Sequence, residues 1–131
     1  MKKLAALGTL ALLSGCIIYR NPPEADAGPP AQEGTPVALG KPVQVGALVV
    51  TPRSVIEDSR CPENARCVWA GRLVVSTRIQ GPDWRETSEL ALGETYMTHG
   101  TSVTLVSGLP ERRVDRDTAP QDYRFVYEGG R

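Results

Sequence analysis

The 131-residue chain balances fifteen Lys and Arg against fifteen Asp and Glu, and its length, within the roughly 100–150 residues of a typical domain, leaves no room for a second core. Its basic residues are mostly Arg scattered along the sequence, so no cluster is available to neutralise phosphates, which argues against a nucleic-acid partner. Lys2 and Lys3 fall in a segment read below as cleaved, and the mature chain is then slightly acidic.

Met1-Lys2-Lys3 is a short positive start, and residues 4–13 form an apolar run too short to span a bilayer as a helix. This is an export signal. Leu13-Ser14-Gly15-Cys16 resembles the lipobox of bacterial lipoprotein precursors, in which the cysteine thiol is acylated and becomes the first mature residue. The resemblance implies a signal peptide over residues 1–15, a lipid chain on Cys16, palmitate among its usual components, and membrane attachment. Each buried CH₂ contributes about 0.8 kcal/mol, so two or three acyl chains hold where one would not. The alternative is a plain secretory peptide with a chance cysteine. Ile17 follows Cys16 in place of the aspartate that resembles an inner-membrane retention signal, so the expected address is the outer membrane of a bacterial cell envelope.

Residues 16–36 carry the lipidated cysteine and a stretch rich in Pro, Ala, Gly, Glu and Gln with no hydrophobic period, including Pro22-Pro23 and Pro29-Pro30. Such a composition buries too little apolar surface to offset ordering entropy, and the expectation is an extended, disordered tether. A Pro-rich recognition segment is the other possibility.

Residues 37–131 read as short strands punctuated by Gly and Pro, without an amphipathic helix. Val43 and Val45 alternate before Gly46; two apolar pieces, 48–50 and 55–56, are interrupted by Pro52. Trp69, Gly71, Leu73, Val75, Thr77 and Ile79 share one parity and Arg72, Ser76, Arg78 and Gln80 the other, the signature of a half-buried strand. Gly81-Pro82-Asp83 is a turn, and a return strand follows over 84–92 with Leu90 and Leu92 on one face. Residues 93–100 are expected as a loop carrying the single histidine, His99; residues 101–109 as a strand; and residues 123–128 as the last strand, with Tyr123, Phe125 and Tyr127 on one face. The expected fold is all-β, a small antiparallel β-sandwich or barrel with one short-loop disulfide.

Once Cys16 carries lipid, Cys61 and Cys67 are the remaining thiols, in a compartment where disulfides persist. Closing so short a loop stabilises by only about 2 kcal/mol. A metal site built from both thiolates and His99 falls short of four ligands and needs reduced thiols. A redox-active pair lacks both Cys-x-x-Cys spacing and a strand–helix alternation. Parity places Cys67, Trp69, Leu73 and Val75 on one inward face, with Trp69 packed in the core, so that Trp69→Ala is expected to cost about 3–5 kcal/mol. Gly71 lets the chain bend into the strand, and Pro62 helps the cysteine loop turn.

Asp58-Ser59-Arg60-Cys61-Pro62, followed by Cys67-Val68-Trp69-Ala70-Gly71, resembles a motif of small exported bacterial proteins and lipoproteins of unassigned function. The resemblance covers roughly residues 43–127 and implies the β-rich fold, the disulfide and the exported location; it carries no catalytic residues. Members often show a second proline soon after the strand ending in Leu-x-Pro, where this chain has Glu111-Arg112.

No catalytic triad can be assembled around one loop histidine, and neither a Gly-x-Ser-x-Gly elbow nor a phosphate-cradling glycine loop occurs. Glu57-Asp58 and Asp115-Arg116-Asp117 offer oxygen ligands without the spacing of a calcium loop. Asp58 and Arg60 are expected to be structural, the carboxylate capping loop N–H groups or pairing with the guanidinium. The functional expectation is a lipid-anchored binding module without catalytic, cofactor or metal residues, whose partner is an envelope protein or glycan. The alternative is an inhibitor of secreted or cell-wall-degrading enzymes that uses loop 93–100 or 110–120; an enzyme is a third reading.

Overall fold

The computed structural model describes Gly15 and residues 28–131. The rest of the signal peptide, Cys16 and the tether up to residue 27 lie outside the described residues. Among the described residues the strands are, in chain order, β1 (Val43–Val45), β2 (Leu48–Asp58), β3 (Leu73–Gln80), β4 (Arg85–Ala91), β5 (Thr95–Thr98), β6 (Thr101–Leu109) and β7 (Arg124–Gly129), with one 3-10 turn at Pro120–Asp122. They form a four-stranded sheet of order β1-β2-β3-β4 and a three-stranded sheet of order β5-β6-β7, antiparallel throughout. None of these residues forms a helix long and apolar enough to cross a membrane.

Period-2 alternation sets which face is covered. In the larger sheet Val50 lies opposite Ile79 and Val75 opposite Leu90; in the smaller one Leu105 lies opposite Tyr127. All six side chains are buried in one core, with Val43, Val45, Leu73, Val103 and Phe125. Each stabilises the fold by roughly 1.5–3 kcal/mol through removal from water. Thr77, also fully buried, spends its hydroxyl proton on the Val75 carbonyl at 3.2 Å, so the Tyr127 hydroxyl donates to Thr77 Oγ1 at 3.0 Å. That bond ties the two sheets and satisfies the deepest polar groups of the core. Burial pushes the Tyr127 phenol well above its ordinary range.

The structure departs from the sequence reading in four places outside the cysteine segment. Residues 31–36 belong to the domain: Ala31 forms a parallel bridge with Val43, donating to Pro42 O at 3.0 Å and accepting from Gln44 N at 2.7 Å. The Glu33 carboxylate accepts from the backbone of Gly46 and of Gly129, both at 3.4 Å. Composition alone does not reveal such backbone bonds.

Pro52 does not split β2. The strand runs through it with irregular register between Pro52 and Ser54 and again between Val55 and Glu57, and a bulge is where a strand tolerates a residue without an N–H.

Residues 93–100 are not simply a loop, because they contain β5. It is joined to β6 by a two-residue turn in which His99 (φ 46°) and Gly100 (φ 73°) are both left-handed, the conformation of a tight hairpin. His at the first turn position hid the hairpin from the sequence. Finally, β4 begins at Arg85, and Trp84 lies in the preceding turn, where Gly81 N donates to Trp84 O at 2.9 Å.

Candidate functional site

The β2–β3 hairpin extends beyond its strands. Ser59 N donates to Arg72 O at 2.8 Å and Cys61 N to Ala70 O at 3.1 Å, so a backbone ladder continues to the Cys61–Cys67 disulfide, whose Cα atoms are 5.8 Å apart. Within the closed loop the Pro62 carbonyl accepts from Ala65 N at 3.1 Å, which makes residues 62–65 a turn. Gly71 has φ 64°, and a Cβ there would run into the Ser59 carbonyl; this close approach of the two hairpin arms requires glycine. Across the base of the extension Arg72 pairs with Glu57.

The loop between β6 and the 3-10 turn forms a second wall against this extension. Glu63 N donates to Arg112 O at 2.8 Å and Val114 N to Asn64 Oδ1 at 3.0 Å, while Arg113 joins Glu63 (2.7 Å) and Asp115 (3.0 Å). Those hydrogen bonds hold Arg113 above its ordinary value and Asp115 below its own.

Beneath the two walls lies a polar cluster centred on Arg60, which is buried. Its Nε and Nη2 donate to Asp58 Oδ1 and Oδ2 at 2.8 and 3.0 Å; Nη1 donates to Gly108 O at 2.7 Å, and Nη2 also to Pro110 O at 3.3 Å. Arg112 Nη1 in turn donates to Arg60 O at 3.0 Å. Tyr123 donates to Asp58 Oδ2 at 2.7 Å. Burial works to raise the Asp58 carboxyl, but the hydrogen bonds from Arg60 and Tyr123 and the guanidinium charge outweigh it and hold Asp58 below the ordinary carboxylate value. The hydrogen bond to Asp58 raises Arg60 further. Burial first, and then the bond to Asp58, push the Tyr123 phenol up to about 12.

Asp58 and Arg60 are thus brought together as a bidentate pair, and Cys61 and Cys67 as a disulfide, while Pro62 lies in the turn beside them. Trp69 does not join the core. It is 82% exposed, and its neighbour Val68 is 91% exposed. The shared parity of Trp69 with Leu73 misleads because β3 begins only at Leu73, and the chain bends at Val68 and Trp69 and turns through Gly71 before that. Cys67 is exposed for the same reason. Val114, 66% exposed, belongs to the neighbouring wall. Arg112, Arg113, Val114 and Tyr123 have no local signal in the sequence, since their partners lie about fifty residues or more away.

His99 sits in the β5–β6 turn, its ring stacked on Trp84 with centroids 3.9 Å apart and planes 9° apart. Thr98 Oγ1 donates to Glu86, so the 2.8 Å bond between Thr98 Oγ1 and His99 Nδ1 carries the imidazole proton on Nδ1. This arrangement orients a surface ring; among the described residues no hydroxyl or thiol is hydrogen-bonded to its Nε2. Those residues also contain no group of three or more His, Cys, Asp or Glu placed to hold a metal ion. Comparisons with family models, with curated proteins and with solved structures found no match, so the resemblance carried by Asp58 to Gly71 rests on those residues alone.

Proposed function

We propose that the protein is a lipid-anchored, non-enzymatic binding module of a bacterial cell envelope, attached through Cys16 to the outer membrane, whose contact surface is the disulfide-stapled end of the β-domain. The observation that carries this reading is Trp69, 82% exposed on a loop held by a disulfide and a backbone ladder. Tryptophan is enriched among residues that dominate binding energy, and a loop ordered beforehand loses little entropy on association. The partner is an envelope protein or glycan.

Inhibition of a secreted or cell-wall-degrading enzyme is the second reading, favoured by the same rigid, projecting loop, which has the form of a segment that enters a cleft. Crosslinked capture from intact envelopes tests both. The wild-type chain should retain a saturable partner that Trp69→Ala loses at unchanged fold. Equal capture by both proteins overturns the assignment of this surface. Slowing of a muramidase or protease by the wild type, and not by Trp69→Ala, selects the inhibitor.

A further inference from the structure

Beside Asp58 is a cleft of about 150 Å³ lined by Asp58, Arg112, Arg116, Asp117, Thr118 and Tyr123. The acceptors of Asp58 are spent. Asp58 Oδ1 is held by Arg60 Nε, and Oδ2 by Arg60 Nη2 and Tyr123. The donors of the cleft are not. Arg112, which lines the cleft, uses Nη1 on the Arg60 carbonyl, and its other N–H groups have no hydrogen bond to a described residue. Arg116 has no side-chain hydrogen bond to a described residue and acts on Asp115 through charge alone. With Asp58 neutralised by Arg60, the lining holds two guanidinium groups against the single carboxylate of Asp117, an excess of one positive charge.

We infer that this cleft binds a monoanionic carboxylate, held by the forks of Arg112 and Arg116. A planar carboxylate matches a guanidinium fork with two parallel bonds and cancels the one excess charge, whereas a phosphate dianion would overshoot it. The volume accommodates a carboxyl group with a few attached atoms, either a small free acid or the C-terminus of a peptide. The site is independent of Trp69, which lines no part of it.

The test is a titration of the detergent-solubilised, lipidated chain followed by amide NMR shifts of Thr118 and Tyr123. Its probes are acetate, an N-acetylated dipeptide with a free C-terminus, the same dipeptide amidated, and inorganic phosphate. Acetate and the free-acid peptide should each give saturable shifts, and tighter binding of the peptide identifies a chain terminus as the natural group. Arg116→Gln, which breaks no hydrogen bond among the described residues, should weaken binding about tenfold or more. Trp69→Ala should leave it unchanged, which separates this site from the docking surface. Absent or non-saturating shifts, equal binding of the amidated peptide or of phosphate, or unaltered binding by Arg116→Gln would each overturn the assignment.

Discussion

Tyr123 donates its hydroxyl to Asp58 at 2.7 Å across a separation of 65 residues, joining the start of the last strand to the end of β2. The phenol is pushed up to about 12, by burial and by this bond. A group whose folded value lies above its unfolded value of about 10 contributes stability that is complete below that pH and is lost as pH rises through the folded value. Stability to urea should therefore fall between about pH 10 and 12. Tyr127 adds to the loss in the same direction, since it too is raised. Tyr123→Phe should flatten the part due to Tyr123, and phenolate absorbance of the folded protein should show its late ionisation.

Asp58 behaves oppositely. Its folded carboxyl is held down against burial by Arg60 and Tyr123, so its contribution is complete above the unfolded value of about 4 and is lost as pH falls through the lower folded one. Arg60→Leu leaves that carboxylate buried without its ion partner and should cost about 3–5 kcal/mol in urea unfolding at neutral pH. Adding Asp58→Asn to it should recover a large share, because the unpaired charge is then gone. A double variant as unstable as Arg60→Leu alone would place the cost in lost packing.

Much of the fold was legible because β3, β6 and β7 alternate cleanly, so Leu73, Val75, Val103, Leu105, Phe125 and Tyr127 could be assigned to one core from parity alone. The disulfide was legible by elimination and the Asp58–Arg60 pairing by proximity. Trp69 was not, because parity counts positions and cannot see that a bend and a left-handed glycine have reset the period. The wall formed by Arg112 and Arg113 was invisible for a different reason: its bonds to Arg60 and Glu63 close over 52 and 50 residues. The turn at His99 shows the limit of composition, since only the positive φ identifies it as the corner of a hairpin.

Exposure of Trp69 reverses the energetic expectation for the cysteine segment. Trp69→Ala should change stability by no more than about 0.5 kcal/mol, as surface substitutions usually do. Reduction of Cys61–Cys67 should cost about 2 kcal/mol, appropriate to its short loop. Amide exchange should quicken over residues 61–70 and stay unchanged in β3. Acrylamide quenching should show one readily accessible tryptophan, removed by Trp69→Phe, beside the slower Trp84 shielded by His99. A large loss of stability in Trp69→Ala would contradict this placement.

Anchoring through Cys16 predicts that the mature chain partitions into detergent and begins at that residue with attached acyl chains. Cys16→Ser should yield a soluble or unprocessed form, read by envelope fractionation and by the mass of the N-terminal peptide. Retention of the variant in the membrane fraction would place the anchor elsewhere.

Gly71 and Gly93 separate two causes of glycine dependence. Both are left-handed, with φ of 64° and 84°. At Gly93 an added Cβ meets nothing within 4 Å, whereas at Gly71 it collides with the Ser59 carbonyl. Gly93→Ala should therefore cost only the conformational penalty, about 1–2 kcal/mol. Gly71→Ala should cost distinctly more, because backbone cannot yield as a flexible side chain does, and the ladder bonds from Ser59 to Arg72 and from Cys61 to Ala70 must open to make room. Urea unfolding of the two variants gives the difference, and loss of amide protection at Ser59 and Cys61 in Gly71→Ala alone locates it. Equal costs for the two substitutions would show that the hairpin arms separate freely, and the loop that presents Trp69 would then lack the rigidity on which its binding role depends.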